Sequence, residues 1–381
     1  MTLPFPLSSA GGAASHLYTA AAGLRAWLYR KHWMPQNRLR SKVVSIGNIA
    51  WGGTGKTPFT IWLASRLAAR GLQVSILTRG YRRTSSEPVR ILPPGTSPAA
   101  ARGDGDEVQL YLRHLSNVPV GVASWRYAAG RDIEDRFPVD VHLLDDGFQH
   151  LSLARDVDIV LVDARNPWGA RAGLARLLRE SPRALRRADA ILITSAGLPM
   201  NGKPRQLDSL QEALSRVNPD VPQFTASTRL LHFASGAGTT VCPVEEMKSR
   251  RAVAFCGLGS PDNFFAMLSR SDISPMRCNV FPDHYRYTAA DLKQLEKLAR
   301  DAGADCLITT EKDQVNLPPA ATLTVPLYWA EIEMALDEEE CLMAWIGEKL
   351  GLPAGKATAG AWVPEAFPDR RATTVSGAAK H

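Results

Sequence analysis

The sequence predicts an α/β protein whose mostly parallel sheet is covered by helices on both faces. Two observations indicate this class. Short β-branched runs alternate with helical patterns along most of the chain, and these runs are apolar throughout instead of alternating with polar residues. The composition agrees, because 45% apolar and 22% charged residues among 381 exclude a disordered or collagen-like chain. The length predicts about two domains.

A first block of alternating elements is expected over residues 41–225. We predict strands over 43–46, 73–78, 118–122, 139–145, 157–162 and 189–194. We predict helices over 57–70, 106–115, 124–134 and 171–187. Strands separated by helices favour parallel pairing, because each helix returns the chain to the same edge of the sheet.

A second, smaller α/β block is expected over residues 226–350. We predict strands over 252–256, 277–281, 304–309 and 322–329, and helices over 261–270 and 288–302. The strands near 226–232 and 322–329 are expected to join the two blocks as a two-strand hinge. Residues 351–381 are rich in Ala, Gly, Pro and Thr, which predicts a disordered tail.

Residues 1–40 are expected to form a separate N-terminal segment with an amphipathic helix over 15–34. Its apolar stripe consists of Leu17, Ala21, Leu24 and Leu28. Apolar spacing alone favours an ordinary core helix. The neighbouring aromatic residues, which include Trp27 and Trp33, instead fit a helix that lies on an anionic membrane surface.

The positive charge is concentrated at the front of the chain. The net charge is +7, yet twelve basic residues precede the first acidic residue, Glu87. A basic front indicates an anionic partner, which is a nucleic acid, a phosphorylated ligand or an anionic membrane surface.

Other classes of protein have little support. No run of 18 uncharged apolar residues occurs, which argues against a spanning helix, and no apolar core follows a charged start, so we expect no secretory signal. The five cysteines are odd in number and widely spaced, which predicts reduced thiols in a cytosolic protein. Neither the cysteines nor the eight histidines form a zinc-binding pattern.

A glycine-rich motif follows the first predicted strand and precedes an apolar helix. It contains Gly52, Gly53, Thr54, Gly55, Lys56 and Thr57. Glycines let backbone N–H groups converge on phosphate oxygens, and the helix N-terminus adds a partial positive charge. Lys56 can reach the β- and γ-phosphates, and the Thr57 hydroxyl can bind Mg²⁺. Although Ala50 stands where the common pattern has glycine, the motif predicts a P-loop that binds a nucleotide.

Carboxylates at predicted strand ends could serve such a loop. Asp145 and Asp146 follow an apolar strand, where a P-loop enzyme commonly places a metal ligand, although Asp-Gly is also ordinary turn chemistry. Asp106 and Glu107 follow a flexible glycine-rich stretch, and one of them could be a base for an acceptor hydroxyl. An acidic helix start explains this pair equally well.

Two polar clusters end strands of the second block. They are Phe281-Pro282-Asp283-His284-Tyr285 and Thr309-Thr310-Glu311-Lys312-Asp313. Ligands bind α/β sheets at the carboxyl ends of strands, so both clusters are candidates for a site. A lone histidine is more often a packed residue, but His284 beside Asp283 could tune a base across a cleft.

Taken together, these motifs resemble the tetraacyldisaccharide 4′-kinase family, the lipid A 4′-kinases of Gram-negative bacteria. The resemblance covers about residues 15–330 and rests on motifs at 47–58, 78–83, 105–107, 144–150, 179–185, 254–265, 281–285 and 309–313. The set around 144–150, 281–285 and 309–313 is far more specific than the phosphate loop. The resemblance implies a P-loop NTPase-like fold. It also implies transfer of the ATP γ-phosphoryl group to the 4′-hydroxyl of an acylated glucosamine disaccharide 1-phosphate.

The resemblance also implies roles for matching residues. Lys56 and Thr57 would bind ATP and Mg²⁺. Asp106, paired with His284, would be the base that activates the acceptor hydroxyl.

Further roles follow from the same motifs. Asp145 and Asp146 would serve the metal and the reaction centre, and Glu180 would be a nearby acidic site residue. Tyr81 and the arginines around it, Arg79 among them, would hold the lipid headgroup.

The implied partners are the lipid A precursor and an anionic inner-membrane surface, with no nucleic acid and no obligatory protein partner. The implied location is the cytoplasmic face of the bacterial inner membrane, as a peripheral protein. Two other functions fit the P-loop itself: a soluble kinase of a small metabolite, and a DNA-binding partition-type ATPase. The basic front lacks a recognisable helix-turn-helix, which disfavours the second.

Overall fold

The computed structural model describes residues 10–169, 171–172, 175–176, 178–196, 207–236, 238, 240–318 and 323–352. The expected tail at 351–381 lies outside the described residues from position 353 onward.

The described residues form helices and strands in alternation along most of the chain. The helices are α1 Ala10–Arg30, α2 Lys56–Ala69, α3 Asp106–His114, α4 Arg126–Arg136, α5 Leu207–Val217, α6 Val244–Lys248, α7 Pro261–Arg270, α8 Ala289–Asp301, α9 Glu311–Gln314 and α10 Glu339–Leu350. The strands of the first block are β1 Lys42–Asn48, β2 Val74–Thr78, β3 Val89–Leu92, β4 Val120–Ala123, β5 Val141–Asp145, β6 Val157–Asp163, β7 Arg171–Ala172, β8 Ala175–Arg176 and β9 Ala190–Thr194. The later strands are β10 Gln223–Ser235, β11 Thr240–Pro243, β12 Ala252–Cys256, β13 Arg277–Val280, β14 Cys306–Thr310 and β15 Leu327–Leu336.

Thirteen strands of the described residues form one sheet, in the order β13-β12-β14-β15-β10-β9-β6-β1-β5-β2-β4-β3, with β11 paired to β10. The pairs β3–β4, β10–β15 and β10–β11 are antiparallel, and the others are parallel. The expected α/β class with a mostly parallel sheet is therefore confirmed.

Helices cover both faces of this sheet. In β1, Val43 and Val44 point to opposite faces and both are buried. Val44 packs in a core with Phe59 and Leu63 of α2, whereas Val43 packs in another core with Ile133 of α4. Burial on both faces explains why the strands are continuously apolar.

Strands of both predicted blocks belong to this continuous sheet. The expected linking strands correspond to β10 and β15, which pair along nearly their whole lengths. Charged side chains pair across them: Arg229 with Glu333, and His232 with Glu331. After β15 the chain returns to the first block, where α10 packs in the same core as α2. The domain limits and the hinge behaviour stay predictions.

Two expected elements were wrong. Residues 171–187 do not form one helix: in the described part, β7 and β8 form a small hairpin and Pro182–Arg187 is a 3₁₀ helix. Between them the backbone nitrogen of Arg179 donates to Ile49 O at 2.7 Å, so this segment braces the phosphate loop. The last strand covers 327–336 instead of 322–329, because Glu331 and Glu333 find partners on β10.

Helix α1 forms, and it begins earlier than expected. Ala26 and Tyr29 near its C-terminal end pack against Leu151, so this end is attached to the body of the protein. Leu24 of the predicted stripe is 59% exposed, and Trp33 beyond the helix is 71% exposed. Within the described residues, no helix has both the length and the apolar character needed to cross a membrane.

Candidate active site

The phosphate loop connects the end of β1 with the first turn of α2. At Gly47 a Cβ atom would lie 2.5 Å from the Phe148 Cβ and 2.7 Å from its backbone nitrogen. Glycine therefore lets this loop approach the turn that follows β5. That turn contains Asp146, and Asp145 is the last residue of β5, so the close approach sets both carboxylates beside the loop.

Buried hydrogen bonds shape the loop, which contains the predicted residues 52–55. Asn48 Nδ2 donates to Thr54 Oγ1 at 3.0 Å, and Thr194 Oγ1 at the end of β9 donates to Thr54 O at 3.0 Å. Helix α2 begins at Lys56, so the first backbone N–H groups of this helix, that of Thr57 included, have no carbonyl partner within it. The arrangement is an anion site of the kind that binds phosphate.

Asp145 ends the strand beside β1, directly opposite Ile46. Thr78 Oγ1 donates to its Oδ2 at 3.0 Å. Burial raises the pKa of Asp145, and the negative charge of Asp146 raises it further, although the Lys56 ammonium opposes both effects. Asp145 is buried and the adjacent Asp146 is partly exposed. Two adjacent carboxylates repel each other, and a cation between them would relieve this repulsion.

Asp146 is paired with two cations. Its carboxylate lies 3.3 Å from Lys56 Nζ, and Arg179 Nη1 donates to both of its oxygens at 2.7 and 2.6 Å. Burial disfavours its charge, but Lys56 and Arg179 outweigh burial and hold the pKa of Asp146 well below its usual value. The Arg179 guanidinium also lies over the Trp51 ring, 4.8 Å from its centroid.

The side chains present fit Mg²⁺. Oxygen atoms of Thr57, Asp145 and Asp146 are the hard ligands this ion prefers. Burial, with the neighbouring charge of Asp146, raises the pKa of Asp145, and a bound cation would offset both effects. In the described part of the chain, no three acidic, His or Cys side chains converge closely enough to enclose a metal. Mg²⁺ suits such an incomplete set, because it commonly keeps water and takes phosphate oxygens as further ligands.

Asp106 is the first residue of α3 and faces the second block. Gly105 before it has φ +115°, and a Cβ atom there would lie 2.9 Å from Tyr81 O, so glycine is required for this turn. His284 Nδ1 lies 2.8 Å from Asp106 Oδ2. Burial disfavours the charge of Asp106, but the His284 hydrogen bond and the nearby Lys312 ammonium lower its pKa to about 2.

Glu107 adds a carboxylate between these groups. Burial raises its pKa to about 8, and the negative charge of Asp145 contributes to the rise, whereas the cations Lys312 and Lys56 oppose it. Charged groups at the β5 end, in the second block and in the phosphate loop thus all act on Glu107. From the sequence, Glu107 is only an alternative to Asp106 as the base.

Tyr81 and Arg79 lie on the loop after β2 and are exposed. The Tyr81 ring is 4.9 Å from the His284 ring. A pocket of about 520 Å³ opens beside His284, and its lining includes Arg82, Asp283 and Arg286. Of the arginines around Tyr81, Arg82 therefore borders open space next to the Asp106–His284 pair.

Arg126 is a buried cation near Arg79 that the sequence did not single out. Its Nη1 donates to Ser124 O at 3.1 Å and to His150 Nδ1 at 3.3 Å, and its Nε has no hydrogen-bond partner among the described residues. Burial lowers its pKa to about 10, and the charge of Arg79 acts in the same direction, against the attraction of Asp146. An arginine at the start of an arginine-bearing helix ordinarily faces water, so no local signal marked it.

Glu180 lies close to the residues that follow β5. Its carboxylate is buried and receives hydrogen bonds from Arg187 at 2.9 and 3.0 Å and from Gln149 Nε2 at 3.1 Å. These contacts brace the segment that carries Arg179. The neighbouring Arg179, which was named only as part of the 179–185 motif, is the residue of this segment that contacts Asp146.

Over most of its length this chain is similar to known proteins of one family. A sequence model of the tetraacyldisaccharide-1-P 4′-kinase family matches residues 11–351. The tetraacyldisaccharide 4′-kinase of Syntrophobacter fumaroxidans is 39% identical over 310 residues, which are 81% of this chain and 80% of that protein. The enzyme of the same name from Anaeromyxobacter dehalogenans is 38% identical over 328 residues, 83% of this chain and 84% of that protein.

A solved structure gives the same result. The crystal structure of LpxK from Aquifex aeolicus in complex with ATP is 28% identical, with a TM-score of 0.67, and covers 89% of this chain and 98% of that one. A match over nearly the whole chain, relatives well above 30% identity and a shared fold lead to one conclusion. This chain belongs to the tetraacyldisaccharide-1-P 4′-kinase family.

Proposed function

We propose that this protein transfers the γ-phosphoryl group of ATP to the 4′-hydroxyl of a tetraacyldisaccharide 1-phosphate, which gives the 1,4′-bisphosphate of the lipid A precursor. Family membership supports this reaction. The observation that carries the assignment of residues is the 2.8 Å contact between Asp106 and His284, two groups contributed by different blocks.

On the donor side, the loop amides and Lys56 would hold the ATP phosphates. Lys56 would exchange its ion pair with Asp146 for phosphate oxygens, while Arg179 keeps Asp146 charged. Mg²⁺, held by Thr57, Asp145 and Asp146, would neutralise charge on the phosphates. The two linking strands β10 and β15 would let the second block close over ATP and exclude water, a motion that solution scattering with and without nucleotide would detect.

On the acceptor side, Asp106 would accept the proton of the 4′-hydroxyl as its oxygen attacks the γ-phosphorus. The bond between the γ-phosphorus and the bridging oxygen breaks, and ADP departs with the electron pair. A base of low pKa suits a loose transition state, in which the acceptor proton is lost late and positioning dominates catalysis. Arg79, Tyr81 and the buried Arg126 would bind the anionic headgroup, and Glu180 would be a nearby acidic group on the substrate side, held by Arg187 and Gln149.

We further propose that the protein works at the cytoplasmic face of the bacterial inner membrane as a peripheral protein. The exposed Leu24 and Trp33 support contact with lipid, and Arg25 supplies a cation for an anionic surface. An acylated acceptor makes this location chemically sensible. Neither a water-soluble metabolite nor DNA is favoured as the partner, because family membership argues against both.

The experiment that tests the reaction is mass spectrometry after incubation with Mg-ATP and detergent-dispersed disaccharide 1-phosphate. We expect one added phosphate, placed on the 4′-position by fragmentation. Lys56→Ala should abolish the product, and Asp106→Ala should reduce it about 10²- to 10⁴-fold, the usual contribution of a positioned base. An unmodified lipid with folded, ATP-binding protein would refute the proposal.

A further inference from the structure

The segment Thr309–Asp313 is a motif that the proposed function has not used. Three of its side chains serve the second block itself. Thr309 Oγ1 donates to a backbone carbonyl of β12 at 2.9 Å, and Thr310 Oγ1 accepts from the Asp313 backbone nitrogen, which caps α9. Asp313 Oδ1 accepts from the Gly257 nitrogen at 2.8 Å and from the Tyr287 hydroxyl at 2.9 Å. These contacts fix the backbone of α9.

Glu311 fixes α9 relative to the first block. Its Oε1 accepts from Arg113 Nη1 at 3.0 Å, and the ring of His114 lies 2.8 Å from the same atom. Both partners lie at the C-terminal end of α3, the helix that begins with Asp106. The register of α9 along α3 is therefore set at one end by this contact.

Lys312 is the side chain of the segment that faces the reaction centre. Its Nζ lies 3.3 Å from His284 Nε2 and 3.7 Å from Asp106 Oδ2, and the side chain is mostly buried. Burial disfavours its charge, but Asp106 and Glu107 outweigh burial and raise the pKa of Lys312, so it is an ammonium. An ammonium has donors and no acceptor, so His284 Nε2 must supply a lone pair to it.

This contact determines which ring nitrogen of His284 carries the proton. With Nε2 as acceptor, the proton of the neutral ring is on Nδ1, and Nδ1–H donates to Asp106 Oδ2 at 2.8 Å. The other neutral tautomer would set the Nδ1 lone pair against a carboxylate oxygen at this distance, and the two would repel. The tautomer and the position of Asp106 are thus coupled.

We propose that Lys312 is a positioning residue of phosphoryl transfer, whose ammonium holds His284 as the neutral Nδ1–H tautomer and thereby orients the Asp106 carboxylate. The catalytic part of this inference rests on the proposed function. Lys312 acts through His284 and Asp106. Because Lys312 belongs to the second block, its ammonium lies beside the Asp106–His284 pair only while α9 lies against α3.

Other charged and polar groups also face His284. Asp106 lies at Nδ1, and Asp283 Oδ2 lies 3.8 Å from Nε2. The Arg82 guanidinium donates to His284 O at 2.8 Å, and Tyr81 contributes an uncharged ring contact. Lys312 is the cation at the Nε2 atom itself, so its removal leaves the Nε2 lone pair without this ammonium donor.

The first test is ¹⁵N NMR of histidine-labelled, full-length protein without nucleotide, with His284 assigned from a His284→Gln spectrum. In the wild type we expect a protonated Nδ1 and an unprotonated Nε2 at pH 7.5. In Lys312→Met we expect the ¹⁵N resonance of Nε2 to move downfield, because its lone pair no longer accepts a hydrogen bond from the ammonium. The same Nε2 resonance in both proteins, or an Nε2–H tautomer in the wild type, would overturn the inference.

The second test compares kinase activity of the same variants. Lys312→Met should lower kcat about ten- to a hundredfold with little change in KM for ATP, since positioning and not nucleotide binding is lost. Lys312→Arg should restore most of the activity because it keeps the cation. Lys297→Met, at an exposed lysine of α8, is the matched control and should equal the wild type.

The outcomes separate the two proposals. If Lys312→Met unfolds, Lys312→Gln takes its place in both tests. Wild-type protein without kinase activity would refute the proposed function and the catalytic use of Lys312, while the NMR result would still decide the tautomer. If the wild type is active, and both kcat and the His284 spectrum are unchanged in the Lys312 variants, this inference alone is overturned.

Discussion

Asp106 and Glu107 are neighbouring carboxylates whose pKa values are displaced in opposite directions. Burial opposes the charge of both. Asp106 has His284 and Lys312 within contact, which lower its pKa to about 2, whereas burial and the charge of Asp145 raise the pKa of Glu107 to about 8. At neutral pH without metal, the first is a carboxylate and the second a neutral acid. Neighbouring positions of α3 thus carry a charged base and an acid that is neutral until pH approaches about 8.

Glu107 should make stability depend on pH in a definite direction. Its folded pKa of about 8 exceeds its ordinary value of 4.5, so the folded state holds a proton that the unfolded state has lost. Stability from this group is therefore complete below about pH 4.5, declines as pH rises and levels off above about 8. In Glu107→Gln the decline in melting temperature over this window should be smaller.

The measurement is thermal unfolding in EDTA without nucleotide, at intervals between pH 5 and 8.5. Glu348→Gln, at an exposed position of α10, is the control and should follow the wild type. Parallel curves for Glu107→Gln and the wild type would contradict the assigned environment.

At the scale of elements, α1 differs from the helices that cover the sheet. Its C-terminal end is attached through Ala26 and Tyr29, yet Ala21 and Leu24 of its predicted stripe are exposed. An apolar stripe that avoids the core is expected for a helix that lies on a membrane. Apolar spacing alone favours a core helix, because it indicates an apolar face without indicating what covers it, whereas the basic and aromatic residues predict a membrane-associating helix.

Leu24→Glu should weaken binding to vesicles that contain phosphatidylglycerol about tenfold, since it removes an apolar contact and adds repulsion from anionic lipid. Co-sedimentation with vesicles at fixed salt measures the effect. Met276→Glu changes another exposed apolar residue, in the second block, and should bind like the wild type. Equal binding by both variants would remove α1 from the proposed membrane contact.

At the scale of the molecule, the two blocks meet around the reaction centre through polar contacts. His284 reaches Asp106, Arg82 Nη1 donates to His284 O, and Arg113 reaches Glu311. Such contacts are weaker than a packed apolar core and can separate and re-form. The reaction centre is therefore complete only while these contacts between the two blocks hold.

Arg113→Met should disturb this arrangement without touching the phosphate loop. Arg113 donates to Glu311 and to Gln314 Oε1 at 2.6 Å, so its loss loosens α9 from α3, although His114 still contacts Glu311. We expect faster hydrogen exchange of α9 amides and a kcat about tenfold lower, with ATP affinity unchanged. Arg277→Met, on the exposed strand β13, is the control. Wild-type exchange and kcat in Arg113→Met would exclude a role for this contact.

Much of the fold could be predicted from the sequence, because strand and helix periodicity is a local property. The central strands β1, β5, β6 and β9 lie within two residues of their expected limits. The segment 171–187 could not be predicted, because its form depends on hydrogen bonds to Ile49, more than a hundred positions away. The limits of β15 could not be predicted either, because its charged residues are stabilised by partners on β10.

The sequence by itself determined the phosphate loop, the carboxylates at the end of β5 and the family that both resemble, because each motif is a short run whose chemistry is complete locally. Only the tertiary structure decided that Arg179 and not Glu180 contacts Asp146, that Arg126 is buried, and that Lys312 faces His284. Asp106 and His284 lie 178 positions apart, so their contact depends on the path of the sheet between them. The environment of both groups depends on burial and on neighbouring charges, and these arise only when the chain has folded.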